Sequence, residues 1–293
     1  MDLSAYDVPG RGNGILDVFR WRYLLSVLIR KGTATRYRNS VLGWVWSYVK
    51  PGMQFVIYYF VMGVILQFHR DVENFAVYLF SGVVIVNLFN EAFGNATSSI
   101  TDNRALVRKI YLPRELFPVA SIVGAFIHFL PQLAILLLVC VLIGWTPTLA
   151  ALGGILAAVA IVMVFALGLG LFFAGLNVRF RDAQNFVELI RMFSTWTSPV
   201  LYTWTLVQTA LPGWAFFGYS ANPLTIAVEL FHHGFWAPTT SSYNDPNADP
   251  LDVPTLMPHF GEAVIVGLIL CAVLLIIGQA VFRRFERTFA QDL

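Results

Sequence analysis

Along the chain, long apolar runs alternate with short basic or polar connections. Six runs approach or exceed the about 20 mostly apolar residues that a helix needs to cross a bilayer core. They cover roughly 41–68, 75–96, 116–143, 149–176, 193–208 and 263–282. Lys50-Pro51 interrupts the first near its start, and the fifth is short and rich in hydroxyls. The stretch 209–261 behaves differently. Its first half, 211–236, is crowded with Trp, Phe and Tyr, and Pro212-Gly213 and Asn222-Pro223 mark helix boundaries. This predicts two short re-entrant or interfacial helices, because irregular backbone at membrane depth must be sheltered by protein or line a wet cavity. Residues 237–258, rich in Pro, Ser, Thr and Asp, read as an exposed outer loop. The pattern predicts an all-α integral membrane protein with six transmembrane helices, 41–293, preceded by an N-terminal segment, 1–40, that holds an amphipathic interfacial helix. No repeat of 20–50 residues is visible.

Composition strengthens that reading. Of 293 residues, 57% are hydrophobic and 12% charged, against roughly 45–50% and about 25% in soluble domains. The mean hydropathy is +0.68. Disordered, collagen-like and disulfide-scaffold classes are excluded; the only cysteines, Cys140 and Cys271, lie inside apolar runs and read as small hydrophobes. The first forty residues lack a clean apolar core flanked by a cleavage site, so no signal peptide is expected.

Charge gives direction. With the N-terminus cytoplasmic, every Lys and Arg falls on an inner segment except Lys50, at the inner end of the first run, and Arg70. By the positive-inside rule both termini are then cytoplasmic. Residues 30–38 are densely basic, and residues 15–29 are mainly apolar, a combination suited to the inner interface and its anionic headgroups.

Catalytic signatures are scarce. There is no G-x-x-x-x-G-K-[ST] phosphate loop, so ATP hydrolysis by that route is excluded. Gly168, with the small-residue series Ala166, Gly170 and Ala174, reads as a close-packing helix face. His232-His233 reads as the polar tip of an outer amphipathic helix, since neighbours on a helix point about 100° apart; no metal site is expected. His128 reads as a hydrogen-bonded packing residue. Glu91, Glu115, Glu229 and Glu262 are scattered and form no acid/base motif, which argues against a membrane glycosyltransferase or hydrolase.

Polar residues inside spans are costly and face a bundle interior or water. In the second run Asn87, Glu91 and Asn95 recur at i, i+4 and i+8, with Asn90 and Ser98 beside them. That stripe suits the inner mouth of a passage and suits interhelical hydrogen bonding equally well. In the fifth run Trp196 and Tyr202 are candidates for lining a passage, where flat rings with polar edges suit sliding contact with sugars. Trp204 fits an interfacial belt. Tyr58 and Tyr59 in the first run are further lining candidates.

Three segments together resemble one family. The first is Arg36-Tyr37-Arg38-Asn39-Ser40-Val41-Leu42-Gly43-Trp44-Val45-Trp46 with Lys50-Pro51; the second runs from Asn103 through Leu106, Arg108 and Lys109 to Leu112-Pro113. The third is Arg181-Asp182, then Thr197-Ser198-Pro199-Val200-Leu201-Tyr202 and Asn222-Pro223-Leu224. In this order and spacing they resemble the ABC-2 type exporter permeases, in particular the polysaccharide and O-antigen branch and its actinobacterial lipid-linked galactan exporters.

The resemblance implies a homodimer of this chain with two copies of a separate ATPase subunit, which binds ATP and Mg. It therefore implies a transport subunit, with no cofactor in this chain and no nucleic-acid partner, in a bacterial plasma membrane. The substrate implied is a polyprenyl-pyrophosphate-linked glycan moving outward. Coupling to the ATPase falls to a short inner helix carrying Asn103, Leu106, Arg108, Lys109, Ile110 and Tyr111. Headgroup contact falls to Arg30, Lys31, Arg36 and Arg38, and the lining to Tyr58, Tyr59, Asn87, Glu91, Trp196 and Tyr202. Two rival readings are an ABC-2 exporter of a small lipid or drug, and a channel or scramblase that needs no ATPase.

Overall fold

The computed structural model describes residues 14, 17–36, 43–70, 72–109, 112–180, 182–243, 245, 247, 249 and 253–289. Every regular element among them is helical. The organising element is α4 (Phe75–Asp102), whose first stretch, 75–86, is apolar on nearly all sides, the signature of a helix buried all round. It packs against α6 (Leu116–Ile143), α7 (Leu149–Arg179), α8 (Ala183–Ser194) and α11 (Pro223–Phe231). In its most apolar window 72% of positions are buried, against 28% in α6 and 17% in α12 (Phe260–Glu286). So α4 is the axis, and α6 and α12 turn most of their apolar surface outward. Phe89 and Phe93 of α4 meet Phe165 and Phe173 of α7 at ring distances of 5.2 and 5.6 Å.

The α7–α12 seam is backbone to backbone. A Cβ at Gly168 would lie 2.9 Å from the Leu274 carbonyl carbon, and one at Gly175 3.2 Å from the Phe282 Cα. Gly278 abuts the Gly168 carbonyl. Gly170 instead faces Ala96 of α4, where a Cβ would come within 2.5 Å. The small-residue face of α7 thus serves two seams, the arrangement by which spans approach closely without a hydrophobic drive.

Among the described residues, four helices, α4, α6, α7 and α12, are long and apolar enough to cross a membrane. Two of the six expected spans take other forms. The first is α3 (Trp46–Tyr58), which runs through Pro51 and continues directly as a π-helix, Tyr59–Ile65. The proline near its start does not break it. The fifth, expected as one helix over 193–208, is broken: α8 ends at Ser194, residues 195–203 form turns and bends, and α9 spans Trp204–Ala210. Hydroxyls and a proline explain the break. Ser194 Oγ donates to the Arg191 carbonyl at 2.6 Å and Ser198 Oγ to the Ser194 carbonyl at 2.8 Å, and Pro199 brings no N–H to extend a ladder.

Beyond it, α10 (Gly213–Ser220) and α11 begin where the Pro-Gly and Asn-Pro pairs mark them. The Asn222 side chain caps α11 by accepting from Leu224 N at 3.1 Å, with Pro223 in the first turn. A π-turn, His232–Trp236, and two short 3-10 turns follow. At the other end, α1 (Asp17–Arg20) packs against α2 (Arg22–Arg36), which lies beside α6. Leu28 of α2 is buried, while Tyr23, Arg30 and Lys31 are exposed. Leu24, Leu25 and Ile29 turn toward a second core built from Val107, Leu116 and Phe117.

Candidate functional site

On the side where the basic residues gather, α2, the end of α4, α5 (Arg104–Lys109) and the start of α6 meet. Val107 anchors α5 in the second core, Leu106 is half-buried, and Arg104, Arg108 and Lys109 are exposed. Asn103 joins two groups that sequence reading kept apart. Its Oδ1 accepts from Lys31 Nζ at 2.9 Å, and its Nδ2 donates to the Ser99 carbonyl at 2.9 Å. Lys31, expected to meet a headgroup, is therefore one hydrogen bond from the segment expected to couple to the ATPase. Arg36 closes α2, whereas Arg38, Ile110 and Tyr111 lie outside the described residues. A cavity of about 500 Å³ opens beside the Lys31–Asn103 bond, lined by Asn95, Ser99, Asp102, Ser121 and His128.

The segment after α5 is tied to the end of α12, a link sequence reading missed. The Arg114 guanidinium donates to the Glu286 carbonyl and lies over the Phe289 ring, 5.6 Å from its centroid. Gln279 Nε2 donates to Glu115 Oε1 at 3.0 Å. Glu115, read as one of several scattered carboxylates, is a buried acceptor. A charged pair placed immediately before an apolar helix was the available signal.

The stripe of α4 is half-buried along Asn87, Glu91 and Asn95. Beside it, Asn90 Oδ1 lies 2.9 Å from Ser194 Oγ, sharing that hydroxyl with the Arg191 carbonyl. Arg191 of α8 lies over Gly94, where a Cβ would come 3.0 Å from Nη1. α8 thus lays a guanidinium against the polar side of α4, close over the bare Cα of Gly94.

At the other end, the turns of 195–203 are held by their carbonyls. The Tyr78 hydroxyl donates between the Pro199 and Tyr202 carbonyls, at 2.9 and 2.8 Å. Thr225 Oγ1 donates to the Thr197 carbonyl at 3.1 Å. Tyr202 Oη donates to the Trp196 carbonyl at 2.6 Å, so these two lining candidates share one turn, with Trp196 exposed and Tyr202 half-buried. Tyr58 and Tyr59 sit on a different wall. Gln54 donates to Tyr58 Oη at 3.3 Å, and the Tyr59 ring lies 6.1 Å from Phe75.

Nearby is a cavity of about 730 Å³ lined by Tyr78, Trp204, Glu229, His232 and Trp236 among others. Here the sequence expectation fails. His232 is no exposed polar tip: it is 2% exposed, and its ring stacks on Tyr78 at 3.8 Å. α11 runs on into the π-turn, which tucks the imidazole against α4.

Bilayer-length apolar helices around a buried axis, with a short basic helix projecting between two of them, define a multi-pass integral membrane protein. The chain belongs to the ABC-2 type transporter family, whose sequence profile matches residues 23–236. It is 27% identical over 215 residues to the O-antigen export system permease protein RfbA of Klebsiella pneumoniae, covering 72% of this chain and 81% of that one. A protein of the same name from Myxococcus xanthus is 27% identical over 194 residues, 66% of this chain and 74% of its own. The capsule polysaccharide export inner-membrane protein CtrC of Neisseria meningitidis serogroup A is 22% identical over 283 residues, covering 90% and 91%.

Proposed function

We propose that this chain is the permease subunit of an ATP-binding-cassette exporter that moves a polyprenyl-pyrophosphate-linked polysaccharide outward across a bacterial plasma membrane. The cargo is a cell-wall galactan or an O-antigen-like glycan. The observation that carries the reading is similarity, over most of the chain, to permeases named for O-antigen and capsule polysaccharide export. The reading keeps six passages: the four long helices, α3 with its π continuation, and the broken segment from α8 to α9. α10 and α11 are the re-entrant pair, and both termini are cytoplasmic. Two copies pair, because the helices of one chain pack around α4 and a polymer needs a passage between subunits. Two ATPase subunits, which hold ATP and Mg, dock on α5.

In this scheme Arg30, Lys31, Arg36 and Arg38 meet the acidic headgroup, and the sugars slide past Trp196, Tyr202, Tyr58, Tyr59, Asn87 and Glu91. The Lys31–Asn103 bond supports the scheme, since movement of the docking segment is felt directly where the headgroup binds.

The test is to deplete the protein and quantify lipid-linked glycan on each membrane face. Full-length polymer accumulating on the cytoplasmic face is the expected result, and its sugar composition names the cargo. An unchanged distribution overturns the polysaccharide reading in favour of a small-lipid or drug substrate.

A further inference from the structure

The turn that leads into α6 holds α12 at two points. Arg114 and Glu115 follow one another there. The Arg114 guanidinium donates to the Glu286 carbonyl, and Glu115 Oε1 accepts from Gln279 Nε2 at 3.0 Å. Glu286 is the last residue of α12, and the final carbonyls of a helix have no partner within it. Thr288 N and Oγ1 both donate to the Phe285 carbonyl, and Arg114 supplies the donor one position further on. Its positive charge also suits the negative end of the helix dipole.

Positions 279 and 286 share one face of α12, about 10 Å apart along its axis. A single contact would let α12 pivot, whereas two on one face fix its tilt as well as its height. The contact at 286 is reinforced by Phe289, which is fully buried. The guanidinium lies over that ring at 5.6 Å, and the ring meets Phe282 edge-on at 5.4 Å.

Each side of this grip is tied to something larger. Arg114 follows closely on the end of α5 at Lys109, and Val107 of α5 lies in the same apolar cluster as Leu116, Phe282 and Phe289. On the other side, the gripped stretch of α12 is the one that meets α7 backbone to backbone. Gly278 abuts the Gly168 carbonyl, and the Phe282 Cα lies over Gly175. Such contacts leave no side chain that could bend, so α7 follows α12. Without the grip, a displacement of α5 would reach α6 through the chain itself, but α12 only through deformable side-chain packing.

We propose that Arg114 is a positioning residue for transport, a strut that carries displacement of α5 to the α7–α12 pair. Movement at the docking surface then reaches two spans beyond α6, through contiguous bonded and packed groups. The inference rests on the docking of the ATPase on α5 proposed above. A simple helix cap would stabilise α12 and do nothing more, whereas a strut sets how much transport each hydrolysed ATP yields.

The experiment uses the permease with its ATPase subunit in proteoliposomes that contain lipid-linked glycan extracted from cells depleted of the protein. Hydrolysis is read as released phosphate, and export as glycan becoming shielded from periodate in the medium. The Arg114→Met complex is expected to assemble and hydrolyse ATP, with glycan moved per ATP lowered about tenfold, inside the roughly 5–150-fold range of coupling between sites. Arg114→Lys keeps a charged donor and is expected to regain part of that ratio. Phe289→Leu keeps an apolar plug but removes the ring under the guanidinium. It is expected to lower the ratio by a smaller factor, and it tests the strut even if Arg114→Met fails to assemble. Arg284→Met, at an exposed arginine near the same helix end, is expected to leave the ratio unchanged.

An unchanged ratio in whichever of Arg114→Met and Phe289→Leu assembles overturns the proposal. Failure of both to assemble also overturns it, since that is the mark of a purely structural cap. If the unaltered complex moves glycan and the variants keep its ratio, the strut alone falls. If the unaltered complex hydrolyses ATP and moves no glycan, the export reading falls, and the strut with it.

Discussion

Tyr78 sits in an apolar helix, yet its hydroxyl is the donor for two carbonyls of the 195–203 turns. Replacing it with phenylalanine keeps the ring and strands those carbonyls. Tyr78→Phe is expected to destabilise the protein by about 1–3 kcal/mol, seen as a lower thermal midpoint in detergent and faster proteolysis within 195–203. Arg108 and Lys109 answer to a different test. Both are exposed while Val107, with half-buried Leu106, anchors α5, so the double reversal Arg108→Glu/Lys109→Glu is expected to leave the permease folded and abolish co-purification of the ATPase subunit. Undiminished recovery of that subunit removes the docking role from this pair. Motif spacing brought out Lys31 and Asn103 separately, but not the bond between them, which spans 72 positions. Tyr78 carried no local signal either, because its acceptors lie 121 and 124 residues away. His232 was misjudged because the ring that covers it, Tyr78 of α4, is far away in sequence.

Among elements, hydropathy located the long helices closely. The expected 116–143 and 149–176 became Leu116–Ile143 and Leu149–Arg179. It failed at 193–208, where the hydroxyls visible in the sequence bond their own backbone and a proline ends the ladder, so the run breaks instead of forming one helix. Turn chemistry succeeded where hydropathy did not, since Pro212-Gly213 and Asn222-Pro223 mark the starts of α10 and α11. The α7–α12 seam gives the sharpest prediction at this scale. A methyl at Gly278 runs into the Gly168 carbonyl, whereas nothing lies within 4 Å of a Cβ at Gly124 in α6. Gly278→Ala is expected to lower the folded yield and thermal midpoint in detergent. Gly124→Ala, which gains helix propensity, is expected to be neutral or stabilising by up to about 1 kcal/mol. Equal midpoints for the two variants remove the close seam.

For the molecule as a whole, the number of crossings turns on the broken α8–α9 segment. Irregular backbone survives at that depth only when its polar groups are satisfied by protein. Here they are: Ser198 bonds within the segment, and Thr225 and Tyr78 supply donors to its carbonyls from α11 and α4. A crossing is therefore physically sound without a continuous helix. Between Arg104 and Trp214 lie α6, α7 and this segment, so three crossings put those residues on opposite faces and two put them on the same face. Both are exposed, and the native Cys140 and Cys271 are buried, which keeps background thiol labelling low. With Arg104→Cys and Trp214→Cys made singly, a membrane-impermeant maleimide applied to intact cells is expected to label position 214 and spare 104. Inverted vesicles are expected to give the reverse, and detergent to expose both. Labelling of both positions from one face would mean that the segment dips and returns. The inward-facing basic helices would then no longer share a side with both termini, and the positive-inside argument would have to be rebuilt around five crossings.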